Sequence, residues 1–235
     1  MLVLLAALLG SLLCARLGLW QLDRAAQKTA LFESRQQAVA LPSLAPSQLP
    51  RTPAEIEPLL HRRVLVEGRW LTDKTVYLEN RQMNGAPGFY VVTPLLLPDG
   101  DVLLVQRGWL PRNVRERSRL APFDTAEGTV RIEGRIASGF ARLYEFDAAA
   151  SGAIRQNLNV ESYARQTGLP LLPVVLVQIE DATASPDGLL RQWSPATLDV
   201  SRHHGYAFQW FALSALIAGL YVWFQLIRPR SADAS

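Results

Sequence analysis

The residues with the clearest chemical potential are two adjacent histidines, His203 and His204, in the segment SRHHGYAFQWF. A neutral imidazole binds haem iron well, and a flat apolar macrocycle partitions to a bilayer edge with its propionates toward water. On a helix, His203, Tyr206 and Trp210 have i, i+3 and i+7 spacing and share one face, which Ser214 continues. The segment therefore predicts one candidate haem ligand above an aromatic, weakly polar strip.

The two histidines leave the ligand assignment open. Adjacent helical residues point about 100° apart, so His203 and His204 cannot bind one iron from opposite sides. A histidine at a membrane boundary can also act as an interfacial anchor, with its ring in water and no ligand. From the residues alone, anchoring is the favoured interpretation and haem ligation is the alternative.

The element that must position the histidines is a charge-free run near the C-terminus. Residues 205–227 read GYAFQWFALSALIAGLYVWFQLI, and about 20 such residues cross the hydrocarbon core of a bilayer. Aromatic residues lie near both ends, as in interfacial belts, and Arg228 and Arg230 follow. We expect a transmembrane helix over 203–227 and a tail over 228–235.

A second apolar run opens the sequence and extends to about residue 22, interrupted by Arg16. Such a span can tolerate Arg16 if the side chain snorkels to the interface or faces protein. A cleaved signal peptide is the alternative, but no basic segment precedes the run and helical sequence continues to about residue 39. We expect a retained transmembrane helix over 1–22, with a true start upstream of Met1. Flanking charges do not decide its orientation.

The polar segment between the spans, residues 40–202, has the pattern of a β-rich domain. Six runs rich in β-branched and aromatic residues predict strands near 62–70, 74–81, 88–97, 101–110, 128–136 and 173–180. They favour an antiparallel α+β domain outside the membrane, with a partly closed barrel as one form of it.

Local signals mark the connections in this domain. Residues 98–101, Pro-Asp-Gly-Asp, predict a hairpin turn, whereas Asn84-Gly85 is expected in a longer loop. The Pro-rich stretch 41–53 is interpreted as a linker, with a helix beginning after its Thr52. Asn159 and Gly168 predict the beginning and end of a short helix.

Composition and motifs exclude several classes of function. A single cysteine, Cys14, permits neither an intrachain disulfide nor a cysteine-based metal cluster. Acidic and basic residues are interspersed along the middle domain, so nothing indicates a nucleic-acid partner. The sequence lacks hydrolase, phosphate-loop and zinc-protease motifs, and His61 of the middle domain is expected at the surface.

Five segments in order resemble the surfeit-locus protein one family. They are LGLWQLDR after the first span, then VLVEGRW, GFYVVTPL, VQRGWLPR and HHGYAFQWFAL. The histidine of the last segment falls on His203, while His204 stands where the family usually has leucine. The matching positions in the middle domain are Gly68, Gly88, Val91, Thr93, Pro94, Leu95, Arg107, Gly108, Trp109 and Pro111.

The resemblance implies a non-catalytic assembly factor for haem-copper cytochrome c oxidase in a bacterial inner membrane. Such a protein would bind haem a and help insert it into subunit I or stabilise that subunit, with haem a synthase as a further partner. The middle domain would be periplasmic and both termini cytoplasmic. His203 would be the axial ligand, with Trp20, Arg24, Tyr206 and Trp210 near the haem edge. Trp20 and Trp210 can instead belong to an aromatic belt, and Arg24 can be a solvated interfacial charge.

A structural role is favoured for the matching residues of the middle domain. Gly68 is expected to let another segment approach its strand closely, and Gly108 to mark a bulge. Arg107 would reach a haem propionate only if its strand end faces the membrane.

Two rival functions remain at this stage. A haem-free membrane-anchored chaperone or scaffold would co-purify with oxidase subunits and show no haem absorbance. A membrane-anchored periplasmic enzyme would need a polar cleft with a positioned base, and converging carboxylates in the structure would be its mark.

Overall fold

The computed structural model describes residues 1–113, 116, 120–144, 152–179, 187–193 and 198–228, which form two units. One unit combines Met1–Ser34 with Ala196–Ser235, and the other is Arg35–Pro195. In chain order the elements are α1 (Leu2–Ala40), β1 (Arg63–Trp70), β2 (Val76–Met83), β3 (Ala86–Leu96), β4 (Val102–Pro111), β5 (Thr129–Ala137), β6 (Ile154–Arg155), α2 (Val160–Thr167), β7 (Leu171–Gln178) and α3 (Ser201–Val222).

The first unit consists of the two long helices, α1 and α3. Each is long and apolar enough to cross a membrane. In the most apolar 18-residue segment, only 11% is buried in α1 and 6% in α3. A core helix of a soluble domain would be mostly buried, so this exposed apolar surface suits lipid. Helix α3 begins two residues before the predicted position and is extended by a π-helical turn, Trp223–Ile227.

Helix α1 is continuous over 39 residues, as the helical sequence beyond the apolar run predicted. Its interrupting charge, Arg16, is exposed, so its side chain does not face α3. Of the two accommodations expected for this charge, snorkelling to the interface is the one that an exposed side chain permits. The residues of α1 from Arg35 onward belong to the second unit.

The second unit is a closed β-barrel of five strands in the order β1–β5–β7–β4–β3, with β3 returning to β1. Closure rests on two residue pairs, Arg69 with Leu96 and Trp70 with Leu95. Strand β2 extends the sheet beyond β3, and β6, too short to leave a periodic signal, pairs with β2. The β-rich prediction is confirmed, although β4–β7 and β2–β6 are parallel rather than antiparallel.

Successive side chains along the strands point alternately inward and outward, and the inward ones fill the barrel. In β1, Val64 and Val66 are fully buried while Glu67 and Arg69 face outward, as the alternation of the sequence requires. A second apolar cluster lies under α2, where Tyr163 packs with Leu78 of β2. The interior of the barrel is lined by Leu44, Leu49, Val64, Val66, Trp70, Leu95, Leu97, Leu103, Val105, Ile132, Ile136, Leu172, Val174 and Leu176.

Of the two connections predicted between strands, one differs from the expectation and one agrees with it. Asn84 and Gly85 have φ values of 51° and 79° and form a two-residue turn between β2 and β3, so the prediction of a longer loop is wrong. Positive φ at both central residues is the mark of a type I′ turn, which matches strand twist. The turn at Pro98–Asp101 is confirmed by the bond from Gly100 N to Leu97 O, 3.1 Å.

The Pro-rich stretch is part of the barrel unit rather than a linker. Its Leu44 and Leu49 are each 6% exposed, and Leu44 N donates to Arg63 O at 2.8 Å. The helix expected after Thr52 is only a 3₁₀ turn, Pro53–Glu55, because Pro58 lacks the N–H that a longer helix needs. The short helix α2 is confirmed: Asn159 accepts from Ser162 N at 2.9 Å.

A Gly68→Ala substitution tests the close strand contact at barrel closure. A Cβ at Gly68 would lie 2.5 Å from the backbone oxygen of Leu96, so we expect destabilisation of about 1–3 kcal/mol. Tryptophan fluorescence during denaturant unfolding of the full chain in detergent measures the loss. Gly139→Ala is the control, since nothing lies within 4 Å of a Cβ there. Equal stability of both variants would contradict the close-approach role.

Candidate ligand site on the helix pair

Helices α1 and α3 pack antiparallel along a seam of small residues. Contacts run from Gly10 with Ile217, through Gly18 with Phe211, as numbers rise on one helix and fall on the other. A Cβ at Gly18 would lie 2.8 Å from the Phe211 ring, so only glycine permits this separation. Small residues at interfaces let helix backbones approach within a membrane.

A reciprocal serine pair fixes the register of the two helices. The hydroxyl of Ser214 donates to the Ser11 carbonyl at 2.9 Å, and the hydroxyls of the two residues lie 2.8 Å apart. Hydrogen bonds of this kind between spanning helices contribute about 0.6 kcal/mol each on average. They fix which residues face each other at the other end of the seam.

At that other end, the ring of His203 meets the side chain of Gln21. The distance from His203 Nδ1 to Gln21 Oε1 is 2.8 Å, and both residues are half-buried on the facing sides of their helices. An amide oxygen can only accept, so Nδ1 carries the proton in this arrangement. In the neutral ring the lone pair is then on Nε2, the form in which a histidine binds a metal.

The two histidines have different surroundings, which the sequence could not distinguish. His203 is half-buried and hydrogen-bonded across the helix pair, whereas His204 is exposed. Gln21, which the sequence placed only within the LGLWQLDR segment, joins the site through its position on α1. The repeat Cys14, Gly18, Gln21 at intervals of four and three residues is the signal that could have indicated a shared helix face.

The other predicted site residues surround this contact unequally. Trp210 is half-buried on the same face of α3, while Tyr206 is 52% exposed and Trp20 is 47% exposed. Arg24 donates to Gln27 at 3.0 Å and lies 5.6 Å from the centroid of the Trp20 ring. The site thus pairs a half-buried polar contact with an outer aromatic and cationic surface.

The donor set suits a metal that arrives in its own macrocycle. Within the described residues no group of three or more His, Cys, Asp or Glu could hold a bare metal ion. A haem iron needs only one or two protein ligands, and Nε2 of His203 could supply one. Exposed aromatic side chains suit the apolar macrocycle, and Arg24 suits its anionic propionates.

Arg107 of the barrel is a bulge residue that is bound internally. Val91 pairs with Gly108 and Val92 with Gln106, which leaves Arg107 unpaired between them. The predicted bulge at this point is confirmed. A Cβ at Gly108 would lie 2.6 Å from Leu189 Cβ, so a side chain there would collide with the neighbouring segment.

Arg107 is 2% exposed, and both terminal nitrogens of its guanidinium are bonded within the barrel unit. It donates to Thr125 Oγ1 at 2.8 Å, forms an ion pair with Asp187 at 3.5 Å and lies over the Trp70 ring at 4.5 Å. Burial lowers the pKa of Arg107, and Asp187 opposes that shift. These contacts favour the structural role over a reach to propionates.

The remaining matching residues of the barrel also have structural surroundings. A Cβ at Gly88 would overlap the Leu110 carbonyl and the Trp109 ring, and Trp109 Nε1 donates to the Arg81 carbonyl at 2.9 Å. Pro94 is buried in β3, where its carbonyl accepts from Leu71 N at 2.9 Å. Pro111 ends β4 opposite Gly88.

One cavity of the barrel unit, of about 950 Å³, was the place to look for converging carboxylates. It is lined by Arg142, Arg155, amide side chains and a single described carboxylate, Glu161. Arg155 is occupied by bonds to the Gly152 carbonyl and the Gln166 side chain. The cavity therefore lacks the mark that the enzyme alternative required.

His61 differs from the plain surface residue that was expected. It is half-buried, has a φ of 66° and donates its backbone N–H to Ile136 O at 2.9 Å. Desolvation lowers the pKa of His61, and the nearby cations Arg35 and Arg135 lower it further. A neutral ring at a strained backbone position is consistent with a role in the fold of this turn.

Two exposed apolar helices joined through a closed five-stranded barrel define a membrane-anchored barrel protein with a polar contact between its spans. The model of the SURF1 family matches residues 8–215, so the chain belongs to the SURF1 family. This membership confirms the family that the five segments resemble.

Similar proteins span bacteria and eukaryotes. A SURF1-like protein of Monosiga brevicollis is 29% identical over 224 residues, covering 88% of this chain and 81% of its own. A SURF1-like protein of Rickettsia bellii is 24% identical over 220 residues, covering 92% and 88%. The cytochrome oxidase assembly protein SHY1 of Saccharomyces cerevisiae is 31% identical over 97 residues, covering 40% and 24%.

Engineered cysteines test the register of the helix seam. In a Cys14→Ala background, Ser11→Cys with Ser214→Cys should form a disulfide under mild oxidation, because the native hydroxyl oxygens lie 2.8 Å apart. Mass spectrometry of the digested protein detects the linked peptides. Leu12→Cys with Ser214→Cys is the control, since Leu12 is 65% exposed. Equal linkage of both pairs would refute the register.

Removal of the buried guanidinium tests the role of Arg107. Arg107→Met should lower the free energy of unfolding by roughly 2–4 kcal/mol, because Thr125 and Asp187 lose a charged partner. Denaturant unfolding of the full chain in detergent measures the change. The exposed Arg131 of β5 provides the control Arg131→Met, expected to change stability by about 0.5 kcal/mol or less. A similar effect of both substitutions would contradict the role as an internal tie.

Proposed function

We propose that this protein is a non-catalytic assembly factor for cytochrome c oxidase, which binds haem a as cargo through His203. The oxidase role rests on membership of the SURF1 family together with the name of the yeast relative. The haem role rests on one observation, the bond of 2.8 Å between His203 Nδ1 and Gln21 Oε1. This bond leaves the lone pair of Nε2 available to bind iron.

The helix pair suits a cargo that is held and then released. His203 is the third residue of α3, next to the polar segment of the chain, so we infer that it lies near the membrane boundary. Aromatic side chains at Tyr206, Trp20 and Trp210 offer flat apolar surface, and Arg24 offers a charge for a propionate. A single histidine bond to iron is weaker than two, so a subunit with two axial ligands can take the cargo.

The topology supports a particular placement in the bacterial inner membrane. Two antiparallel spans would put both chain termini on one side of the membrane and the segment that connects the spans on the other. We infer that the termini are cytoplasmic and the barrel periplasmic. The periplasmic barrel would then be available to oxidase subunit I, which receives haem a, and to haem a synthase, which supplies it.

Absorbance spectra of purified variants test the cargo and its ligand together. Protein isolated from cells that make haem a should show a haem band, and His203→Ala should reduce bound haem to background because the only proposed iron ligand is gone. His204→Ala is the matched control and should keep its haem, since His204 is exposed whereas His203 is half-buried.

Two results would count against this proposal. Full haem in His203→Ala would reject His203 as the ligand. A haem-free wild-type protein that still co-purifies with oxidase subunits would favour the alternative of a membrane-anchored chaperone or scaffold without cargo.

A further inference from the structure

The half-buried polar contact between the two spanning helices joins residues that are far apart in the sequence. Gln21 and His203 are separated by 182 residues of sequence and meet on facing sides of α1 and α3. In an apolar environment an unpaired amide or imidazole is costly, so each requires the other. The contact also has a chemical consequence, because its polarity determines which ring nitrogen carries the proton.

The amide of Gln21 can face His203 in two ways with opposite results. With Oε1 toward the ring, as in the structure, Nδ1 is protonated and Nε2 keeps its lone pair. With the amino group toward the ring, Nδ1 would accept and the proton would move to Nε2, which could then bind no metal. The orientation of this one side chain thus switches the ligand on or off.

We propose that Gln21 is a positioning residue, whose side-chain oxygen holds the Nδ1-protonated tautomer of His203 and so presents Nε2 to the haem iron. This inference rests on the proposed function. Metal-binding histidines commonly donate their other N–H to an oxygen acceptor, which fixes the tautomer and the ring orientation. Here the acceptor comes from the opposite helix, so the ligand is competent only while the two spans are paired.

The seam places Gln21 at the required distance. Gly18 lies one turn before Gln21 on α1, and a Cβ there would lie 2.8 Å from the Phe211 ring, so a side chain would push the helices or the ring apart. Ala207 of α3, one turn after His203, is also buried on the facing side. Small residues on both helices therefore bring the two polar side chains within hydrogen-bond distance.

A neutral acceptor also tunes the strength of the iron bond. A carboxylate in this position would draw the Nδ1 proton more strongly and make the imidazole a more basic ligand. An amide oxygen orients the ring with a smaller effect on its basicity. This choice suits a ligand that must release its cargo.

The tautomer can be measured in the haem-free protein. Full-length protein with ¹⁵N-labelled histidine, in detergent, carries His61→Asn and His204→Leu so that His203 gives the only side-chain signal. We expect the Nδ1-protonated form with Gln21, and its loss in Gln21→Leu. Gln21→Glu should restore it, since a carboxylate is an acceptor only.

The haem-loaded protein gives an independent spectroscopic readout. Gln21→Leu should weaken haem binding roughly 10- to 100-fold and lower the iron–histidine stretching frequency, as loss of an outer-shell partner does. Gln21→Glu should bind at least as tightly and raise that frequency. Gln36→Leu is the matched control on the same helix, because Gln36 is exposed and lies about four turns beyond Gln21.

The outcomes separate this inference from the function on which it rests. An Nε2-protonated ring in the wild type, or unchanged tautomer and haem affinity in Gln21→Leu, overturns the role of Gln21 even if His203 binds haem. A tautomer controlled by Gln21 in a protein that takes up no haem overturns the proposed function, and with it the ligand role of the freed nitrogen.

Discussion

Close approach of the two spanning helices is the constraint on which the candidate site depends. In lipid, two apolar helices gain little from hydrophobic contact, so packing and interhelical hydrogen bonds must hold them together. Gly18 removes the side chain that would separate the backbones, and Ser11 with Ser214 fixes the register. Gln21 and His203 then meet as a consequence of that register. The ligand geometry is therefore a property of the pair of helices rather than of α3 alone.

The barrel unit must close a sheet of five strands, and it also uses glycines where two segments come close together. Closure of five strands leaves no exposed sheet edge within the ring, and glycines at Gly68 and Gly88 admit a neighbouring strand where a Cβ would collide. Arg107 occupies the bulge of β4 and ties two loops to it through Thr125 and Asp187. Residues that resemble functional motifs in the sequence thus form the internal framework of this domain.

The sequence predicted the parts whose cause is local. Periodicity located the two long helices and six of the seven strands, and cap residues such as Asn159 and Gly168 predicted α2. It failed at Asn84-Gly85, because Ala86 and Pro87 are not typical strand residues although β3 begins with them. It also failed at Leu44, whose burial depends on contact with Val64, which is distant in the sequence. Parallel pairing of β4 with β7 was equally invisible, because no local pattern records which strands become neighbours.

The two residues of the candidate site differ in the same way, because one has a local signal in the sequence and the other does not. His203 could be singled out because imidazole chemistry and an apolar run are visible in one short segment. Gln21 could not, since a polar residue near a membrane boundary has an ordinary explanation until its partner is known. The structure supplies that partner, and with it the reason to prefer His203 over His204. A single neutral ligand, oriented by a neutral acceptor from another helix, depends on helix pairing for its competence. In the proposed role, separation of the spans would remove the acceptor and weaken the hold of His203 on haem, so the helix seam would control release.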